Sequence, residues 1–213
     1  MSATVLYMSI SLDGFIAGPH ERHDNPLGDG GHRLHDWFPA GVEGGSGASR
    51  HPHEPVNGQI FDEMLATGAV VAGAGTFEPA GGWSGDHHNG VPIFIYSRHE
   101  PRIDISSWPL VTYLSNIEDA MARAKQAAGA RDVLVHGAAV TQLALGAGVL
   151  DELELHIVPV LLGQGRRLFD HIGARHIELE RVRSLEGEHG VTHLRYRVKP
   201  SARRLAETDS ALA

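Results

Sequence analysis

The chain of 213 residues contains no cysteine. That absence removes disulfides, thiolate nucleophiles and cysteine-ligated metal sites together. No apolar run approaches the ~20 residues needed to span a bilayer. Basic residues are outnumbered: 18 Lys and Arg stand against 26 Asp and Glu, for a net charge of −8 with His neutral. This balance argues against nucleic acid or an anionic membrane surface as the main partner. It leaves room for a small phosphorylated ligand, which needs only a local basic pocket. The first residues lack a basic segment followed by an apolar signal region, so a cytoplasmic location is the expectation. The remainder is ordinary for a globular protein, with 42% hydrophobic and 21% charged residues, and the length suits one domain with one core.

Apolar periodicity and Gly/Pro punctuation divide the chain into alternating strand-like and helix-like segments. Strands are predicted at Val5–Ile10, Ala69–Gly73, Pro92–Ser97, Leu110–Leu114, Asp132–His136 and Glu152–Val160. Ile177–Leu185 and Val191–Val198 read as a closing antiparallel pair around a Gly187–Gly190 turn. Helices are predicted at His32–Phe38, Ile60–Ala66, Ile117–Ala128 and Ala138–Leu145, with Asn116 capping the third and Gly129 stopping it. Ser11–Pro19 reads as a loop. Pro39–Gly58, rich in Gly, Ser, His and Pro, reads as a long loop insertion of the kind used as a lid or left disordered. Strands alternating with helices, then two strands with none between them, describe a mostly parallel α/β sheet with an antiparallel end. A single domain over about residues 1–200 and a frayed polar tail at 201–213 complete the expectation.

Two segments share one physical logic. Val70-Val71-Ala72-Gly73-Ala74-Gly75-Thr76 and Val133-Leu134-Val135-His136-Gly137-Ala138-Ala139-Val140 each run from a strand through small residues toward a helix. Such turns expose backbone N–H groups and the positive end of a helix dipole, and small side chains let a phosphate approach. Two of them on the carboxyl edge of one sheet can hold a diphosphate between them. Neither is a G-x-G-x-x-G fingerprint or a lysine-bearing phosphate loop, and simple helix–strand packing explains each turn taken alone. Ser97-Arg98, at the end of another strand, suits a phosphate monoester, since guanidinium can bind two oxygens at once.

The opening Ser11-Leu12-Asp13-Gly14-Phe15-Ile16-Ala17 resembles the S-L-D-G-x-I-A signature of the riboflavin-biosynthesis reductase domain, a branch of the dihydrofolate reductase superfamily. Further on, Leu150-Asp151-Glu152-Leu153 and Pro159-Val160-Leu161-Leu162-Gly163-Gln164-Gly165, followed by Leu168-Phe169, resemble its D-E-L…P-x-L-L-G-x-G…L-F signature. The two glycine turns lie between them in the expected order, so the resemblance covers about Val5 to Val198. It implies a dihydrofolate-reductase-like three-layer α/β/α fold with a mixed, mostly parallel eight-stranded sheet, usually in a homodimer. It implies NADPH as cofactor, with the nicotinamide near Ala17 and Gly18. The diphosphate would lie near His136, Gly137, Ala138, Ala139 and Val140, and the 2′-phosphate near Gly73, Gly75, Thr76, Ser97 and Arg98. The chain departs from the pattern in three places. Ala74 stands where many relatives carry Arg, which leaves NADH possible. His136 stands where a Glu is common. The insertion at 39–58 and the preceding Asn25–Gly31 are not part of the core reductase.

The resemblance therefore implies hydride transfer from NADPH to a small heterocycle. The riboflavin intermediate 5-amino-6-(5-phosphoribosylamino)uracil is the first candidate and dihydrofolate the second. Asp13, at the end of the first strand and beside a glycine, is the first candidate for a catalytic polar group, against a purely local Asx-type brace. Asp29, Arg33, Asp36, Trp37 and Arg166 are candidates for the substrate side, although Trp37 also suits a core. Two other readings stand beside this one: a non-catalytic nucleotide-binding protein on the same fold, motivated by Ala74 and His136, and a metal-dependent hydrolase built on the 15 histidines. His51, His53, His87 and His88 have no companion ligands at metal spacing and are read as solvated loop residues, so no metal site is assigned. His156, mid-strand, is expected to be buried with a hydrogen-bond partner.

Overall fold

In a computed structural model, which describes residues 2–22, 24–38, 55–173 and 176–200, the apolar opening run forms β1 (Thr4–Ser11), buried along its whole length. A strand with neighbours on both edges and cover on both faces has no side for polar alternation. After it come β2 (Phe15–Ala17), α1 (Pro55–Leu65), β3 (Ala69–Gly73), the single-turn α2 (Ala74–Phe77), β4 (Ile93–Tyr96) and β5 (Val111–Leu114). Then follow α3 (Ile117–Ala128), β6 (Val133–His136), α4 (Ala138–Ala147), β7 (Glu152–Val158), β8 (Arg166–Arg167), β9 (Leu179–Glu186) and β10 (Thr192–Val198). Eight strands make one sheet in the order β5-β4-β3-β6-β1-β7-β10-β9. All its pairings are parallel except those of β10, which is antiparallel to both β7 and β9.

One face of the sheet presents Leu6, Met8, Val71 and Val135 to Met121 and Ala124 of α3 and to Ala144 of α4. The other presents Val5, Tyr7, Val70 and Leu134 to Phe77, and beyond them Val158 packs with Leu34, Trp37 and Ile60 of α1. The result is the expected three-layer α/β/α arrangement. Asn116 caps α3, accepting from Asp119 N at 2.9 Å, and Gly129 ends it.

Local readings differ in three places. Helix α1 begins at Pro55, inside the segment expected as loop. Pro suits a first helical turn, where its missing N–H would be unpaired anyway, and the Glu188 carboxylate accepts from Asn57 N at 3.1 Å across the fold. Residues 39–54 and the tail 201–213 lie outside the described residues, and with them the bulk of the expected insertion, His51 and His53. The loop Ser11–Pro19 contains β2, paired antiparallel with β8; elements of three and two residues are too short for periodicity to reveal. The predicted helix at His32–Phe38 is a 3-10 segment over Gly31–His35.

Candidate functional site

The two glycine crossovers are neighbours. Strands β3 and β6 pair in parallel with Ala72 opposite His136, so Gly73 and Gly137 leave the carboxyl edge side by side. Gly137 has φ 96°, and a Cβ there would drive into Thr76 Oγ1; a Cβ on Gly73 would meet Val140 Cγ2 at 3.4 Å. The turns therefore pack directly on one another. Helix α4 starts from Gly137 with no side-chain cap and no acidic residue in its first turn. The N–H groups of Ala138, Ala139 and Val140 thus have no partner within the helix, which fits an anion there. The first crossover differs from expectation: α2 is one turn long, so it contributes little dipole, and Gly75 instead has its carbonyl occupied by Arg166 Nη1 at 3.1 Å. Ser97 and Arg98 follow β4, whose Tyr96 is opposite Gly73. The Ser97 hydroxyl donates to His99 O at 2.7 Å, and Arg98 is exposed.

The first loop is tied to a distant one. Asp13 Oδ1 accepts from Ser11 Oγ at 2.6 Å and from Leu162 N at 3.1 Å, while Oδ2 accepts from Gly163 N at 2.7 Å. The Ser11 hydroxyl and these N–H groups favour the ionised carboxylate and hold Asp13 below its ordinary range. A carboxylate so engaged is a positioning group rather than a proton donor. Gly165 lies against Ala17 and Gly18, because a Cβ on it would meet Ala17 O. Gly18 is closed from the other side too, donating to Leu27 O at 2.8 Å with the Asp29 carbonyl over its Cα. The chain's own loops thus cover Ala17 and Gly18, where the nicotinamide was expected. The bare Cα of Gly18 serves loop packing.

A model of the RibD C-terminal domain family matches residues 4–192. The chain belongs to the RibD C-terminal domain family. No curated protein sequence matches it significantly. Among solved structures, a candidate riboflavin biosynthesis protein from Shewanella sp. PV-4 shares the fold with a TM-score of 0.68 at 21% identity, covering 93% of this chain and 99% of that one. RibD from Acinetobacter baumannii gives 0.55 at 17% identity, with 94% of this chain on 59% of that one. Dihydrofolate reductase from Enterococcus faecalis, complexed with NADP(H), gives 0.56 at 13% identity, with 93% and 97% covered. The fold is dihydrofolate-reductase-like.

The other candidates of this RibD-type domain divide by what already holds them. Arg166 reaches the first crossover rather than an open cleft, and its Nη2 pairs with Glu21 at 2.9 Å. Glu21, half-buried with its pKa raised by burial, carried no signal in the sequence. Arg33 and Asp36 face each other at 3.3 Å on the surface. Asp29 accepts from His20 Nδ1 at 2.8 Å and from Asn25 at 2.9 Å, which hold its pKa down. Trp37 is 2% exposed, donates to Ser9 Oγ at 2.9 Å and packs at a tilt against the His156 ring, centroids 4.5 Å apart. It is a core residue, not a cleft wall, because its indole closes the sheet face over β1.

The histidines depart furthest from expectation. His88 is buried and His87 half-buried rather than solvated, with their Nδ1 atoms 2.7 Å apart and His88 Nε2 3.1 Å from Thr67 Oγ1. His156 is buried as expected, its Nδ1 2.9 Å from His193 Nδ1. His136 directly precedes Gly137, and its Nδ1, like that of His35, is buried without a hydrogen-bond partner. Burial holds both imidazoles neutral, with pKa values of about 4. No three His, Asp or Glu side chains among the described residues converge as metal ligands. A separate cavity of about 290 Å³ lies against Tyr7, Glu63, Thr67, Asp132, Arg183 and Arg195. Thr67 and Asp132 precede β3 and β6, so it opens at the opposite edge of the sheet from the crossovers.

Proposed function

We propose that the chain is an NADPH-dependent reductase that passes hydride to a small heterocyclic substrate, with 5-amino-6-(5-phosphoribosylamino)uracil as the first candidate. The carrying observation is the pair of crossovers packed together between β3 and β6, with the uncapped start of α4 on one side. Ala138, Ala139 and Val140 would take the diphosphate through their N–H groups, and Gly137 keeps the approach clear of side chains. Arg98, exposed one strand away, would take the 2′-phosphate; with Ala74 in place of a second Arg, the margin over NADH is smaller than two guanidinium groups would give. When bound, the dinucleotide supplies the hydride. The protein's part is to orient the acceptor, exclude water and hold the two loops joined by Asp13 in place.

Calorimetric titration with NADPH and NADH tests the reading, followed by a panel of pyrimidine, pteridine and imine acceptors monitored at the reduced-nicotinamide absorbance. Binding of NADPH, with Arg98→Ala weakening NADPH more than NADH, is the expected result. No heat with either dinucleotide would overturn it.

A further inference from the structure

The cavity at the opposite edge from the crossovers is walled by charged groups that do not all satisfy one another. Three of them come from one lateral row of the sheet. Tyr7 of β1 is opposite Glu154 of β7, Glu154 is opposite Arg195 of β10, and Arg195 is opposite Arg183 of β9. Residues directly opposite on neighbouring strands share a face, so Tyr7, Arg195 and Arg183 line the cavity together. Glu63 of α1, Ala66 and Thr67 after it, and Asp132 before β6 complete the lining. At about 290 Å³ the space is at the low end for small-molecule sites and roughly ten times the share of one water.

The Nη atoms of Arg183 are spent on Glu63 and Glu154, and Gln59 donates to Glu63 as well. Arg195 is different. Its Nε donates to Glu152 Oε2 at 2.6 Å. Its Nη1 stops 3.7 Å from Glu63 Oε2, and its Nη2 stops 3.7 Å from Asp132 Oδ2, both beyond hydrogen-bond reach. Among the described residues, Nε is the only nitrogen of this guanidinium with a hydrogen bond. Asp132 gives Oδ1 to Ala3 N at 2.8 Å, which leaves Oδ2 open. The Arg195 side chain is 15% exposed and that of Asp132 is 38% exposed, so the arginine lies deep and the carboxylate at the mouth. A donor and an acceptor thus stand side by side on the cavity wall, too far apart to satisfy each other.

A gap of this width fits a group that carries an acceptor and a donor on one edge. In a primary amide or a lactam, the carbonyl oxygen and the nitrogen whose N–H lies on the same side are about 2.3 Å apart, from the bond lengths. With the oxygen on Arg195 Nη2 and the nitrogen on Asp132 Oδ2 at ordinary hydrogen-bond distances, the four atoms close a ring. A trans peptide group points its N–H and C=O to opposite sides and cannot do this, so the backbone of a protein partner does not fit. An anion would supply acceptors to Arg195 but set its charge beside Asp132 and Glu63. A cation would suit Asp132 but leave both Nη atoms unmet and place a like charge next to Arg195. We propose that this cavity is a second small-molecule site, which takes a neutral ligand by a carboxamide or ring-lactam edge, Arg195 donating to its C=O and Asp132 accepting from its N–H. The site needs nothing from the dinucleotide.

The test compares benzamide, benzoate and benzamidine, three probes of one shape. The first offers an acceptor and a donor, the second two acceptors with a negative charge, the third donors with a positive charge. Binding to the full chain is followed by backbone amide shifts in NMR titrations. Benzamide should shift the amides of Thr67, Asp132 and Arg195 and bind at least about tenfold more tightly than either charged probe, the step expected for one good hydrogen bond. Asp132→Ala should weaken benzamide about tenfold without weakening benzoate. Ala66 is exposed, so Ala66→Trp should close the cavity and abolish benzamide binding in protein that melts like the parent. Uracil, which carries the same edge within a ring, distinguishes a lactam from an open carboxamide, and tighter binding of either one meets the proposal. Equal or tighter binding of a charged probe, benzamide shifts confined to the crossover edge, or binding that survives both variants would overturn it. So would the absence of binding by both benzamide and uracil, which would leave water as the bridge.

Discussion

Asp13 Oδ2 accepts a hydrogen bond of 2.7 Å from the backbone N–H of Gly163, 150 positions further along the chain. The relationship gives the two family signatures a joint physical meaning. The Asp of the S-L-D-G run exists to hold the L-L-G-x-G loop, and that loop's Gly165 closes over Ala17 and Gly18. Asp13→Ala leaves the Leu162 and Gly163 N–H groups to solvent. Amide exchange at these two residues should rise roughly tenfold, the effect of losing a charge-assisted hydrogen bond. Asp13→Asn, which can still accept at one oxygen, should fall between. If the loop's exchange and its resistance to proteolysis do not change in Asp13→Ala, the tether is dispensable.

A second expectation concerns Gly137. Its φ of 96° and the space taken by Thr76 Oγ1 both require a residue without Cβ. Gly137→Ala should cost about 1–3 kcal/mol in urea unfolding from backbone strain alone, with weaker NADPH binding because the first turn of α4 shifts. Adding Thr76→Gly relieves the collision but not the φ, so the double variant should recover only part of the loss. Full recovery would show that the strained backbone is not the cause.

The architecture was readable because long elements leave strong traces. β1 and α3 are eight and 12 residues with clean apolar patterns and, for α3, caps at both ends. The adjacency of the crossovers followed from two similar strand-to-glycine segments on one parallel sheet. What stayed hidden was set by tertiary contacts. Pro55–Gly58 looks like loop, yet Glu188 caps it from 131 positions away. His87 and His88 sit in a polar, Gly-rich stretch, and nothing local says that Thr67 and Trp83 cover them. Asp13 was placed at the site by its motif, but its role depends on a loop that no local pattern connects to it.

The histidines make a pH prediction. Burial lowers the folded-state pKa of His35, His136 and His193 to about 4, while the unfolded chain has the ordinary value of about 6.5. Between these limits the unfolded state binds protons that the folded state refuses. Stability is therefore complete above about pH 6.5, declines as the pH falls toward 4, and stops declining from this cause below it. Each such group contributes a slope on the order of 1.4 kcal/mol per pH unit. Urea midpoints measured across this window should fall steadily on acidification. His193→Asn, which removes one of the three, should make the decline shallower. A flat profile between pH 7 and about 4.5 would mean that the imidazoles are solvated.

The last prediction concerns the charges that join α1 to the antiparallel end of the sheet. Arg183 and Arg195 are directly opposite on β9 and β10, a placement that repels unless carboxylates intervene. Glu63 of α1 takes both Arg183 Nη atoms, at 2.8 and 2.5 Å, and Glu154, fully buried on β7, lies 3.0 Å from Arg183 and 3.9 Å from Arg195. Burial already pushes the Glu154 pKa up, against the pull of the two Arg. Arg183→Met keeps the length of the side chain and removes its charge. Since Arg195 still faces Glu154, the cost should lie near the lower end for a broken buried pair, about 3 kcal/mol in urea unfolding. The loss should shrink as the pH drops and Glu154 takes a proton. Arg183→Met combined with Glu154→Gln should recover part of it at neutral pH. If the double variant is as unstable as the sum of the two single ones, the pair acts through packing rather than charge.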